Sequence, residues 1–280
     1  MTRRPDGPVS AAPEVKGEVT QVALLEVAAA EVRFGGVHAL RGASLTVEGG
    51  GVTGLIGPNG AGKTTMFNVI CGLQSVQGGQ VTFCGRDVGH LRPHKRARLG
   101  IARTFQRLEV FGSLTVRENV LAAAEIRRRW ARDRSNPKAT ADAVLDLVGL
   151  SSLARVRADT LPTGQARLLE LARALATRPQ LLLLDEPSSG LGESESDDLW
   201  DLLLRLAGAG MGVLLVEHDM ELVMRVCDRI HVLDFGAVLA VGSPDDIRAD
   251  QRVRAAYLGT EDDPEADGLE AEETGEPAHA

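Results

Sequence analysis

The chain has 280 residues, 44% of them hydrophobic and 25% charged, a composition that folds and can bury a substantial core as one large domain or two small ones. Its formal net charge of −8 speaks against a nucleic-acid partner, whose affinity rests on a basic footprint. Nine of the 39 acidic residues fall in 261–280, which holds no Lys or Arg, so the rest of the chain is balanced at 31 basic against 30 acidic groups. Cys71, Cys84 and Cys227 are odd in number and lack CxxC or zinc-type spacing, so neither a disulfide framework nor a metal site is expected, and a reducing compartment is. The start has an Arg pair with no apolar stretch behind it, and nowhere do about 18 apolar residues run together. Neither a secretory signal nor a membrane helix is expected.

In chain order, residues 1–21 are rich in Pro, Gly and small polar types without periodicity. Like 261–280, they bury too little apolar surface to offset ordering entropy, and both ends are expected to be disordered. Short β-type runs follow at Leu25–Arg33, Ala43–Val47, Val52–Ile56 and Val81–Phe83, separated by Gly-rich turns. The spacing of Ala141, Val144, Leu145 and Val148, and of Leu168, Leu171, Ala172 and Leu175, predicts a helical middle. Beyond it, Leu181–Leu184, Gly212–Val216 and Ile230–Leu233 read as buried strands alternating with helices at about 193–207 and 219–227. Apolar strands alternating with helices imply a parallel sheet covered on both faces.

The strand Val52–Ile56 runs into Gly57-Pro58-Asn59-Gly60-Ala61-Gly62-Lys63-Thr64-Thr65, a complete GxxxxGK[ST] loop that opens an apolar helix. Its glycines let successive N–H groups face phosphate oxygens, Lys63 reaches the β- and γ-phosphates, and the Thr64 hydroxyl can ligate Mg²⁺. A second strand, Leu181–Leu184, ends in Asp185-Glu186. Asp185 can hold Mg²⁺ through water and Glu186 can take a proton from the attacking water. A third, Val213–Val216, ends in Glu217-His218-Asp219 at the same expected sheet edge, where ligands bind, so His218 can reach the γ-phosphate.

In these elements the chain resembles an ABC transporter ATPase subunit over about residues 22–260. Ala102-Arg103-Thr104-Phe105-Gln106 is similar to the family's Q-loop. Leu161-Pro162-Thr163-Gly164-Gln165 stands in the place of its signature, Ser189-Gly190-Leu191-Gly192 in that of its D-loop, and Phe34 in that of the aromatic that stacks on adenine. The resemblance implies an α/β fold: a RecA-like P-loop NTPase core (about 22–107 and 178–260) with an N-terminal antiparallel β-subdomain and an inserted α-helical subdomain (about 108–177). It further implies ATP and Mg²⁺ as ligands, the cation being met by Thr64, Gln106 and Asp185. Glu186 would then be the general base, His218 the positioner of γ-phosphate and water, and Gln106 the sensor of Mg²⁺ and water. Two such subunits, alike or different, would sandwich ATP between the phosphate loop of one and the signature of the other.

Two departures matter. Pro162 stands where the signature's serine would bond the γ-phosphate, and it offers neither hydroxyl nor N–H, although the adjacent Thr163 carries a hydroxyl. Gly192 replaces the D-loop's usual Asp. The stretches GIARTFQRLEVFGSLTVRENVLAAAE and VEHDMELVMRVCDRIHVLDFGAVLAVGSP resemble the ATPases of bacterial branched-chain amino acid importers, a subgroup in which proline at the signature's second position is tolerated. That resemblance implies a peripheral place on the cytoplasmic face of the plasma membrane, two transmembrane permease subunits contacting the region of Gln106, a solute-binding protein engaged indirectly, and no nucleic acid. Importers of urea, amides or other amino acids are the alternative. A soluble ABC ATPase of DNA repair or translation is disfavoured because those carry two modules or a coiled-coil insertion, and a P-loop GTPase is disfavoured because no NKxD motif is present. The run Arg127, Arg128, Arg129, Arg132 and Arg134 around Trp130 reads either as an anionic-membrane or permease contact or as a solvated helix face, and the solvated face is the expectation.

Overall fold

The computed structural model describes residues 23–104, 109–132 and 134–258. It opens with strands β1 (Leu25–Phe34), β2 (Val37–Val47) and β3 (Val52–Ile56), helix α1 (Lys63–Cys71), strands β4 (Gly78–Phe83) and β5 (Arg86–Asp87), helix α2 (Pro93–Leu99) and strand β6 (Ile101–Arg103). Helices α3 (Val116–Ala131), α4 (Pro137–Leu147) and α5 (Thr163–Ala176) follow, with 3₁₀ turns at Ser151–Leu153 and Ala158–Thr160 between the last two. The remainder alternates: β7 (Leu181–Asp185), α6 (Glu193–Gly208), β8 (Gly212–Val216), α7 (Met220–Val226), β9 (Arg229–Asp234), β10 (Ala237–Gly242), α8 (Pro244–Ala249) and α9 (Gln251–Leu258).

The strands form two sheets. One is antiparallel, in the order β2-β1-β4-β5, and one has six strands in the order β10-β9-β3-β8-β7-β6. In the second, β9, β3, β8, β7 and β6 are mutually parallel and β10 closes the edge antiparallel to β9. The expectation of a parallel sheet therefore holds for its interior and is corrected at the rim. The missed edge strand is half exposed, and its exposure pattern lacks the continuous apolar run that marked its neighbours.

β3, β7 and β8 are buried at every position, as strands covered on both faces must be. Successive residues serve different cores. Leu181 and Leu183 of β7 join the cluster packed with α1 and the antiparallel sheet, whereas Leu182 and Leu184 join the cluster packed with α5 and α6. Ala141, Val144, Leu145 and Val148 are buried as their helical spacing requires. Caps fix the ends of the helical block. Thr115 and Glu118 form a capping box on α3, and Asn136 with Pro137 starts α4.

The central sheet also carries a pH liability in β9. His231 is buried, and burial, reinforced by the neighbouring Arg229 cation, pushes its pKa down from 6.5 to about 4. The unfolded chain takes up this proton below pH 6.5 and the native chain does not, so stability is lost as pH falls from 6.5 toward 4. The expected loss by pH 5 is about 2 kcal/mol from this residue. Urea titrations of the native chain and of His231→Asn at pH 7.5 and 5 check it, since the variant should lose correspondingly less on acidification.

Candidate active site

The loop Gly57–Gly62 joins β3 to α1, and the ends of β8 and β7 lie on the same side because β8 pairs with β3 and β7 with β8 in one parallel arrangement. A cavity of about 260 Å³ forms there, lined by Asn59–Thr65, by Asp185, Glu186, Val216 and His218, and by Val37, His38 and Ala39 from β2. Gly62 is the N-cap of α1 at φ +108°, and a Cβ on it would lie 2.6 Å from the Ala39 carbonyl oxygen. The loop can take this course only with glycine here. Gly62→Ala is expected to cost about 1–3 kcal/mol of strain and to weaken nucleotide binding in step, which denaturation and ATP titration of the same preparation would measure.

Within the loop, Lys63 donates from Nζ to the carbonyl oxygens of Gly57 (2.5 Å) and Pro58 (3.0 Å). Burial holds its pKa below the usual lysine value, against the opposing attraction of Glu186 and Asp185. The ammonium thus sits in a nest of its own backbone, a position from which it can exchange carbonyl partners for phosphate oxygens. Beyond β7, Glu186 has φ +49°, its N–H donates to the Val216 carbonyl, and its Oε1 accepts from His218 Nε2 at 2.9 Å. A non-glycine residue in the left-handed region is costly unless its surroundings demand it, and here it brings carboxylate and imidazole together above the sheet edge.

Two further residues, one within the Q-loop-like stretch and one beside His218, build the site through partners distant in the chain. Arg103, at the end of β6, pairs with Asp185 at 3.0 Å, both side chains being almost wholly buried, and donates at 2.6 Å to Asn68 of α1. Glu217 is buried and accepts from the N–H and hydroxyl of Ser188 and from the His218 N–H. Burial raises its pKa, and the Ser188 bonds oppose that rise. Glu217 thereby ties the segment after Glu186 to the segment bearing His218. Glu217 follows a fully buried apolar strand and Arg103 ends a short one, and a charged side chain buried in such a place must find a partner.

Of the other sequence-predicted residues, Phe34 ends β1 and is 53% exposed at the turn before Val37, outside the cavity lining. Pro162 is the N-cap of α5, which Thr163, Gly164 and Gln165 begin without any side-chain cap, leaving their N–H groups available. This segment packs on the D-loop candidate of the same chain. A Cβ on Gly164 would meet the Gly190 carbonyl oxygen at 2.7 Å and Leu191 at 2.8 Å. Gly192 is the N-cap of α6 and its N–H donates to the Glu195 carboxylate at 3.0 Å, but without a side chain it offers the first turn of the helix no capping acceptor. None of Leu161–Gln165 or Ser189–Gly192 lines the phosphate-loop cavity. Gln106 lies outside the described residues.

Among the described residues no three His, Cys, Asp or Glu side chains form a metal cluster. The oxygen donors at hand, the Thr64 hydroxyl and the Asp185 carboxylate, are hard and few. They suit a Mg²⁺ that takes the rest of its shell from phosphate and water, and not a cation held by protein alone.

The comparisons with known proteins agree with this geometry. The sequence pattern of the ABC transporter family matches residues 40–189, and that of the branched-chain amino acid ATP-binding cassette transporter C-terminal region matches residues 237–263. The chain is 43% identical, over 84% of its length and 98% of the relative's, to the high-affinity branched-chain amino acid transport ATP-binding protein BraF of Pseudomonas aeruginosa. Its fold superimposes with a TM-score of 0.76 on the ADP conformation of an ATP-binding cassette of an ABC transporter, at 31% identity over 85% of this chain and 99% of that one. A dimeric bacterial ABC transporter cassette matches with a TM-score of 0.70 at 25% identity, over 79% and 98% of the two chains.

Proposed function

The chain belongs to the ABC transporter family, and from that premise we propose that it is the ATP-hydrolysing subunit of an importer for branched-chain amino acids. The observation that carries the reading is the cavity that unites Lys63, Thr64, Asp185, Glu186 and His218 while leaving the signature segment outside. A site so divided needs the signature of a second subunit to cover the γ-phosphate, through the uncapped first turn of α5. Closure on ATP and reopening after hydrolysis then become one cycle of motion. The solute class follows from the relatives named above. Urea, amides or other amino acids are the alternative cargo, because no part of this subunit meets the solute.

In hydrolysis, the N–H groups of Asn59–Thr65 and the Lys63 ammonium hold the β- and γ-phosphates. Glu186 accepts the proton of the attacking water, with its carboxylate held in place by His218. A bound Mg²⁺, held by Thr64 and through water by Asp185, would neutralise charge on the phosphates. The carboxylate oxygen of Asp185 bonded to Arg103 is fixed, and the other is left for that role. Phe34 stacks on the adenine at the mouth of the site, and Gln106 relays the state of cation and water to the permease. The subunit sits peripherally on the inner face of the plasma membrane through two permease chains, with a solute-binding protein on the far side. Among the described residues no helix is long and apolar enough to cross a membrane.

The test is to isolate the intact membrane complex, identify its chains, and measure ATP-driven uptake of leucine against urea in proteoliposomes. Co-isolation of two permeases with leucine uptake supports the proposal. A complex that takes up only another solute corrects the cargo, and a chain that hydrolyses ATP without any permease overturns the transport role.

A further inference from the structure

A basic surface lies apart from the phosphate-loop cavity. Arg92, Lys95 and Arg98 of α2 and its N-cap are exposed, as are Arg128, Arg129 and Arg132 at the end of α3, and the two helices pack together. Between them a cleft of about 490 Å³ is lined by Arg98, Ile126, Arg129, Trp130 and Arg132. The side chains of Arg98, Arg129 and Arg132 have no hydrogen-bond or ion-pair partner among the described residues. Arg127 is different. Its Nε donates to the Thr177 carbonyl at 2.9 Å and its guanidinium lies over the Trp130 ring at 5.9 Å, so it braces the cleft wall. Ile126 is 60% exposed beside these cations. The arginine run is therefore more than a solvated helix face: Arg127 braces a cleft, and Arg129 and Arg132 line it without a partner among the described residues.

The chain itself supplies the complement. Residues 261–280 hold nine acids and no base, with Leu269 the one large apolar residue among them. They follow α9, which packs against β10 at one edge of the six-stranded sheet, while α2 packs against β6 at the other. Five strand spacings separate those edges, about 24 Å. The 22 residues after Leu258 span up to ~70 Å when extended, well beyond that separation, so the acidic segment is long enough to pass to the α2 side of its own molecule. We propose that residues 261–280 dock on the α2–α3 cleft, their carboxylates pairing with Arg98, Arg129 and Arg132. Ile126 also lines the apolar groove of about 420 Å³ between α2, α3 and α5, which reaches Thr104, next to the segment expected to contact permeases. A docked tail thus borders that groove.

Acrylamide quenching of Trp130 in the full chain reads the contact, with Trp130→Phe subtracting the signal of the buried Trp200. Changing all nine acids of 261–280 to Gln or Asn should raise quenching about twofold, since a few exposed pairs hold the segment for much of the time. In the native chain, 1 M NaCl, with a screening length of about 3 Å, should do the same. The triple change Arg98→Gln, Arg129→Gln, Arg132→Gln should give that rise alone, and no further rise when combined with the neutral tail. Additive effects, or no effect of the neutral tail, overturn the proposal. So does protection that grows with protein concentration, which would assign the tail to a second copy. Phosphatidylglycerol vesicles protecting Trp130 equally with native and neutral tails would make the cleft a lipid contact and would also overturn it.

Discussion

Replacing Glu186 by Gln is expected to lower steady-state ATP hydrolysis by about 10²- to 10⁴-fold, the usual contribution of a positioned general base, while ATP remains bound. The carboxamide keeps the size of the side chain and can still accept from His218 Nε2, so the 2.9 Å contact and the left-handed backbone at this position are preserved. What is lost is the ability to take the proton of water. Phosphate release in the assembled complex measures the rate, and equilibrium binding of ATP measures retention. If, as proposed, the signature acts from a second subunit, bound ATP that cannot be hydrolysed should also accumulate a closed dimer, visible by size-exclusion chromatography. Hydrolysis at the native rate would remove Glu186 from the role of base and direct attention to His218 and to Gln106.

Arg103→Met is expected to destabilise the chain by about 3 kcal/mol, the low end for removing one partner of a buried ion pair. The reason is Asp185, which stays buried and negative at the end of a fully apolar strand once its partner at 3.0 Å is gone, with the Lys63 ammonium only partly compensating. Arg103 also bonds Asn68, so the variant unties β6 from both β7 and α1. Urea denaturation gives the difference. Adding Asp185→Asn should restore part of the stability and abolish more of the hydrolysis, because the uncompensated charge disappears together with the proposed Mg²⁺ contact. A variant as stable as the native chain would mean that water or Lys63 already neutralises Asp185.

Much of the site could be read from residue order because each of its parts is local. The nine residues Gly57–Thr65 carry their chemistry in backbone N–H groups, one ammonium and one hydroxyl, and the strand before and helix after them need only the apolar runs that the sequence displays. The same holds for Asp185-Glu186 and for His218, each at the end of a continuous apolar strand. Arg103 escaped because its strand is three residues long and its significance lies in a carboxylate 82 positions away. Glu217 escaped because its partner, Ser188, belongs to another loop. β10 and α2 escaped because half-exposed elements bury too little for their periodicity to stand out.

Charge shows the same division. The net −8 pointed away from polyanions, yet the proposed site would bind polyphosphate through backbone dipoles and one lysine, and a cationic cleft emerges only when α2 is packed on α3. The sequence by itself determined the phosphate loop, the order of the functional segments, the apolar strands that carry them and the separation of the acidic tail from a balanced body, because those depend on neighbours along the chain. The tertiary structure alone decided which strand ends share one cavity, that Asp185 is paired with Arg103, that the signature candidate packs on the D-loop candidate outside that cavity, and that Arg98 of α2 joins the arginines beside Trp130. Those are juxtapositions between residues tens of positions apart, and they come into being only when the sheets close over their cores.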